Sequence, residues 1–276
     1  MPTLATRVDW PAARQAVAEA GPRFSALLRS ARKPDAPALG DWNVAQVAVH
    51  VSHAADVVTA MANGGGNLLD DIWGLSTLSK VMVEGEGRRT PGEVADRVDA
   101  SVAAFLAGME AAEADDDTAA RSWMVQGTEM RPSNLTCHIL NELTVHGLDI
   151  ARAEGVPWPI ERSHAALIVD GFLFPSLHNL GRAMVRQDRA GTVRARFDVR
   201  LRGGGGACLF FHDGELTVEV TPQGPVDCHL SVDPAAFLLV AWGRTSQWPA
   251  IAKGQLLAWG RKPWLGLQMR SWLRNP

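Results

Sequence analysis

One change of rhythm governs what this chain can fold into. Val44, Val47, Ala48, Val51, Ala55 and Val58 form a stripe at helical spacing. Further on, Val193, Ala195, Phe197, Val199 and Leu201 alternate with Arg194, Arg196, Asp198, Arg200 and Arg202, which is the period of a strand. A helical half followed by a sheet half predicts an α+β chain. The charge reverses with the rhythm. Residues 1–160 hold 21 acidic and 13 basic side chains, whereas residues 161–276 hold 9 and 14. The expected division is 1–158 and 159–276, with the boundary between about residues 155 and 190.

Within the first half, Asp9 and Pro11 suit the start of a helix over Ala12–Ala31. Asp41 is placed to cap a second, Val44–Ala62. A mixed segment follows the glycine run at 64–66. Thr90 and Pro91 open a third helix, Pro91–Ala112, and Ala114–Thr118 is an acidic connector. Pro132 opens a fourth, Ser133–Glu154, closed by Gly155. Four helices of about 20 residues predict a four-helix bundle. Residues 160–186 read as one bridging helix. In the second half Cys208–Phe211 and Leu216–Val220 make a hairpin around Asp213-Gly214. Val226–Val232 is a further strand, Asp233 caps a helix over Pro234–Trp242, and Trp264–Leu273 is a last helix. The sheet is expected to be mainly antiparallel.

Composition narrows the function classes. Net charge is −3, which gives no general basic field for nucleic acid. No apolar run reaches the roughly 20 residues of a membrane helix. Neither a nucleic-acid nor a membrane partner is expected, and the location is expected to be cytoplasmic. The three cysteines, Cys137, Cys208 and Cys228, are separated and form no CxxC pair. A metal site must therefore use histidine and carboxylate.

Such a set exists. His138, Glu142 and His146 are spaced by four on the fourth helix, so they share one face. His50 and His53 lie one turn apart on the second. In a bundle, an imidazole from one helix meets an ExxxH pair from another in the core. Two histidines and a carboxylate form a sound zinc set with one position left open. The same spacing also serves a surface ion pair. The four arginines of the 193–202 strand fit an anion site, a solvated face, or docking against the acidic half.

Asp41-Trp42-Asn43-Val44, with His50 eight residues after the Trp, resembles the entry motif of DinB-like metal-binding bundles. Glu142-Leu-Thr-Val-His146-Gly-Leu-Asp149-Ile-Ala-Arg-Ala-Glu-Gly155 resembles the signature of the mycothiol-dependent maleylpyruvate isomerase family. That resemblance implies a DinB-like bundle joined to a sterol-carrier-like α+β domain. Leu216–Val220, Asp227, Asp233-Pro234 and Gly243-Arg244 are similar to that second domain. It also implies a divalent metal, usually zinc, on His50, Glu142 and His146. His53 and His138 lie outside the pattern and read as neighbours of the site or core packing. Asp149 matches the motif and is placed to fix an arginine or a ligating imidazole, or to serve as a plain helix-face carboxylate. The family's substrate-contacting base falls on Lys80, Arg88 or Arg89, and its C-terminal arginine on Arg244.

The activity so implied is that of a metal-dependent thiol transferase or isomerase. Mycothiol, held as a zinc-bound thiolate, attacks a small electrophilic substrate, and Arg244 orients an anionic group. The alternatives are a protein that binds a hydrophobic small molecule or lipid, and a metal-dependent hydrolase on the same bundle. For Arg244 the alternative is capping of the helix that ends near Trp242. A monomer is the favoured expectation.

Overall fold

The computed structural model describes residues 8–111 and 119–274, which divide into two compact units, Asp9–Ile160 and the unit from Glu161 onward. The acidic connector at 114–118 lies outside the described residues.

Four long helices make the first unit: α1 (Trp10–Ser30), α2 (Val44–Ala62), α4 (Pro91–Ala111) and α5 (Pro132–Glu154), with a shorter α3 (Leu75–Glu86) after α2 and two small antiparallel strand pairs, β1 (Pro37–Leu39) with β2 (Trp42–Asn43) and β3 (Arg121–Ser122) with β4 (Glu129–Met130). α1 and α2 each pack against both α4 and α5, which closes a four-helix bundle. Local chemistry sets the helix starts. The Asp9 carboxylate accepts from the Ala12 N–H at 3.0 Å. Thr90 and Glu93 cap each other's backbone N–H groups in a capping box. At α2 the cap is Asn43 rather than Asp41: its side chain accepts from Gln46 N, and Gln46 returns the bond. Gly155 ends α5 at φ +75°, the left-handed conformation that suits glycine.

Every residue of the α2 stripe is buried, as are Leu135, Ile139, Leu143 and Ile150 on α5. Polar ties set the helices against one another: the Trp10 indole N–H donates to Thr136 Oγ1 at 3.0 Å, and the Arg97 guanidinium grips Asp56. The mixed segment holds α3, an unexpected helix. It buries only Ser79 and Val83, too little apolar surface to register as a period.

The second unit is α+β. The expected single helix over 160–186 is instead α6 (Arg162–Ile168), one π turn over Val169–Leu173, α7 (Phe174–Leu180) and a 3₁₀ turn. Its sheet has the order β7-β6-β5-β8-β9, from β5 (Ala195–Leu201), β6 (Gly206–His212), β7 (Glu215–Glu219), β8 (Cys228–Val232) and β9 (Leu256–Trp259). All neighbours pair antiparallel except β5 with β8. Asp213 and Gly214 both take positive φ, the two-residue turn that suits the twist of a hairpin. Phe197, Phe211 and Trp272 pack edge-to-face on the apolar side of the sheet. Two short helices, α9 (Pro234–Ala241) and α10 (Gln247–Ala252), precede β9. The Asp233 carboxylate caps α9. The expected last helix is two 3₁₀ turns, Pro263–Leu267 and Met269–Trp272. Gly266 packs on Ala258 and Leu230, and Pro263 at the first position lacks an N–H.

The charged side of β5 is no open anion site. Arg196 is buried and paired with Glu219 under a loop that brings Gly224 close. Asp198, also buried, accepts from Arg200 and from His229 Nδ1. Arg202 donates to Ser231 and to the Gly254 carbonyl, and exposed Arg194 lies 3.8 Å from Asp213.

Asp170, on the π turn, accepts from the Gly206 N–H at 2.9 Å. Burial pushes its carboxyl up to about 6, although the Gly206 bond opposes this. A carboxyl with a raised folded pKa stabilises the fold when protonated, and that contribution is lost as pH rises from about 4 through about 6. Asp170→Asn keeps the acceptor oxygen without the charge. It should be the more stable protein at pH 7, by roughly 1–3 kcal/mol, and lose this advantage near pH 4. Thermal unfolding of both proteins at the two pH values measures this; a difference that does not change with pH contradicts it.

Candidate metal centre

Three side chains from two helices converge on one point of the bundle. His50 comes from the middle of α2, while Glu142 and His146 come from successive turns of α5. Glu142 Oε2 lies 3.5 Å from His50 Nε2 and 3.4 Å from His146 Nε2, and one donor atom from each residue falls within 4.8 Å of the others. The side chains are only 18%, 12% and 11% exposed. A tetrahedral cation with bonds near 2.0–2.1 Å spaces its ligand atoms by about 3.3–3.4 Å. Both separations from Glu142 match that value, so the donor set suits a divalent cation. This is the only such group of His, Cys, Asp or Glu among the described residues.

The surroundings tune each ligand. Asp149, itself buried, receives the His146 Nδ1 proton at 3.0 Å. That bond fixes the tautomer and turns Nε2 toward Glu142. His50 stands edge-on to His146, with ring centroids 5.0 Å apart, and the Trp42 ring centroid lies 5.1 Å from its own. Burial works against the Glu142 charge, but the His146 and His50 hydrogen bonds outweigh it and hold the carboxyl well below its ordinary range. Burial also works against a charged His146; Asp149 and Glu142 reverse this and lift it to about 9. Burial pushes His50 down, and His138 down to about 4. The metal-free cluster thus has a carboxylate between one neutral and one protonated imidazole. A cation binding there displaces the His146 proton.

The remaining sequence candidates separate. His138 sits one turn before Glu142, 3.7 Å from its other oxygen, and meets Trp123 edge-on. His53 turns elsewhere: its Nε2 contacts Glu86 at the end of α3 at 3.2 Å. Glu86 also binds Arg97 and Arg89, and so ties α2, α3 and α4 together. Burial notwithstanding, His53 and Arg97 draw the Glu86 carboxyl down to about 2. Of the three basic candidates, Lys80 pairs with Glu84 and Arg88 with Asp35 on the surface, whereas Arg89 lines a cleft with Ser52, Glu86 and Arg97. Arg244, in the second unit, follows Gly243 at φ +68° and donates to the Trp242 carbonyl at 3.0 Å. That is the helix-capping contact.

Sequence reasoning missed the role of Gly147. The Trp158 ring packs closely on it, held by a bond from its indole N–H to the Thr144 carbonyl and by the Arg23 guanidinium 3.9 Å from the ring centroid. A β-carbon at position 147 would overlap the indole.

The first unit is a four-helix bundle with a buried His–Glu–His cluster that could hold a divalent cation. Residues 14–151 match the mycothiol maleylpyruvate isomerase N-terminal domain, and the chain belongs to that family. It is similar in fold to two crystal structures of the mycothiol-dependent maleylpyruvate isomerase, one of them a histidine-to-alanine mutant. They are 12% and 11% identical, with TM-scores of 0.51 and 0.52, and each match covers 91% of this chain and 93% of that one. Comparison with curated proteins gives no match.

Gly147→Ala should destabilise the protein by about 1–3 kcal/mol, because either the indole or the α5 backbone must shift. Urea unfolding of the variant measures this; wild-type stability would show that the Trp158 contact yields freely.

Proposed function

We propose that the protein is a metal-dependent thiol transferase or isomerase whose cosubstrate is mycothiol. The observation that carries this reading is the spacing of the His50 and His146 Nε2 atoms about Glu142 Oε2. Membership of the family supports the choice of thiol.

His50, Glu142 and His146 would hold the cation, with zinc the best match to two imidazoles and a carboxylate. Bound there, the cation supplies the Lewis acidity that makes a thiolate available at neutral pH. The protein's own residues do the rest. Glu142 brings the negative charge that makes the site attractive to a cation. Asp149 keeps the proton of His146 on Nδ1, away from the donor nitrogen. The low exposure of the three side chains limits water at the site and strengthens every charge interaction there. Arg244 supplies a planar fork suited to a substrate carboxylate, and the positive φ of Gly243 gives the sharp turn that precedes it. Addition of the thiolate to an electrophilic double bond gives a carbanion; rotation and re-expulsion of the thiolate give an isomer, and uptake of a proton by the carbanion gives a thioether conjugate.

Calorimetric titration of the zinc-loaded protein tests the reading. Mycothiol should bind with release of a proton, and glutathione should bind more weakly. Equal indifference to both thiols, together with hydrolysis of an ester or amide by the loaded protein, would favour activation of water instead.

Two variants test the supporting residues. Asp149→Asn should weaken zinc binding by about 10–100-fold, because the His146 tautomer is no longer fixed; unchanged affinity would remove Asp149 from the account. Arg244→Lys should retain zinc and fold yet lose most turnover, since an ammonium does not reproduce the fork. Full turnover in that variant would remove Arg244 from the proposed chemistry.

A further inference from the structure

The two oxygens of Glu142 have different surroundings. Oε2 faces the His50 and His146 Nε2 atoms at 3.5 and 3.4 Å. Oε1 accepts from Asn141 Nδ2 at 3.1 Å, whereas His138 Nε2 stands 3.7 Å from it, beyond hydrogen-bond reach. Local chemistry does not favour an asparagine at position 141. It lies in the interior of α5, where asparagine is a weak helix former. It is only 3% exposed, and a buried carboxamide is costly unless both of its ends are paired. One end is not: Oδ1 is buried with no hydrogen-bond partner among the described residues. Rotating the amide by half a turn would not mend this. It would set the carbonyl oxygen against the Glu142 carboxylate, acceptor against acceptor. The amide is therefore oriented for Glu142, and its own oxygen goes unpaired.

We infer that Asn141 is a positioning residue that restricts Glu142 to one metal-binding oxygen, Oε2. The inference rests on the reading of His50, Glu142 and His146 as a metal centre. A carboxylate meets a divalent cation through one oxygen or through both. Through both, it would take up the coordination position that a thiol needs. The Asn141 bond opposes this. A hydrogen bond to an ionised oxygen is about twice as strong as one between neutral groups, and burial strengthens it further. Oε1 is thus engaged before a cation arrives, and Oε2 is left to point at the two imidazoles. Asn141 acts here through Glu142 and need touch neither cation nor substrate.

Cobalt(II) in place of zinc tests this in the full chain, because its visible absorption reports coordination geometry independently of turnover. The wild-type protein should take up one equivalent and show the intense bands of a four-coordinate site. Asn141→Leu, a side chain of similar size without the donor, frees Oε1 to join Oε2 on the cation. Its cobalt form should keep the metal but lose most of that intensity, as expected when the site expands to five ligands. Asn141→Ala should do the same, and it carries the test if the leucine variant does not fold. Wild-type bands in a folded variant would overturn the inference and leave Asn141 a packing role, whatever the substitution does to urea stability. Complete loss of cobalt from a folded variant would overturn it too, since the three donors remain. A wild-type protein that takes up no cobalt would overturn the metal-centre reading itself, and the inference with it.

Discussion

A buried carboxylate has to be compensated, and the first unit is organised around that requirement. Glu142 sits in the interior of a helical bundle, where an isolated charge is strongly disfavoured. It remains ionised because His50 reaches it from α2 and His146 from one turn further along α5. Asp149 in turn supports His146. Four groups on two helices therefore depend on one register between α2 and α5. The apolar stripes of the two helices set that register, and Glu86 braces α2 one turn further on through His53. Removal of one member leaves another buried and unpaired, so the cluster is costly as a mere structural device. A cation in the middle relieves the cost, since carboxylate and imidazoles then share one positive centre.

The same logic of local compensation runs through the second unit without producing a site. β5 presents alternating charges, yet Arg196 is matched by Glu219 across the sheet and Asp198 by Arg200 and His229. A row of arginines in sequence thus becomes a set of closed pairs in space. The net positive charge of this half comes instead from its last 43 residues, which hold six Lys or Arg and no carboxylate side chain.

Much of the candidate site was legible because its spacing is local. Glu142, His146 and Asp149 lie within two turns of one helix, where period alone puts them on one side, and the Trp42–His50 motif located the opposite ligand. The bundle was legible for a similar reason, since its stripes are long and its caps lie next to them. Partners distant in sequence were not. Nothing local ties His53 to Glu86, 33 residues away, or Gly147 to Trp158, whose contact depends on how the chain folds back after Gly155. The arginine strand misled for the same reason, because Glu219 and His229 reach it from other strands. Short elements also escaped. β9 has four residues, α3 buries two side chains, and a π turn in a helical run leaves no mark on apolar spacing.

The central claim is that His50, Glu142 and His146 form one metal centre rather than a buried ion pair. Elemental analysis of the purified protein, after dialysis against zinc and removal of excess, tests it most directly. The account predicts one equivalent of metal in the wild-type protein and none retained by folded His50→Ala or His146→Ala. Wild-type metal content in both variants would contradict it.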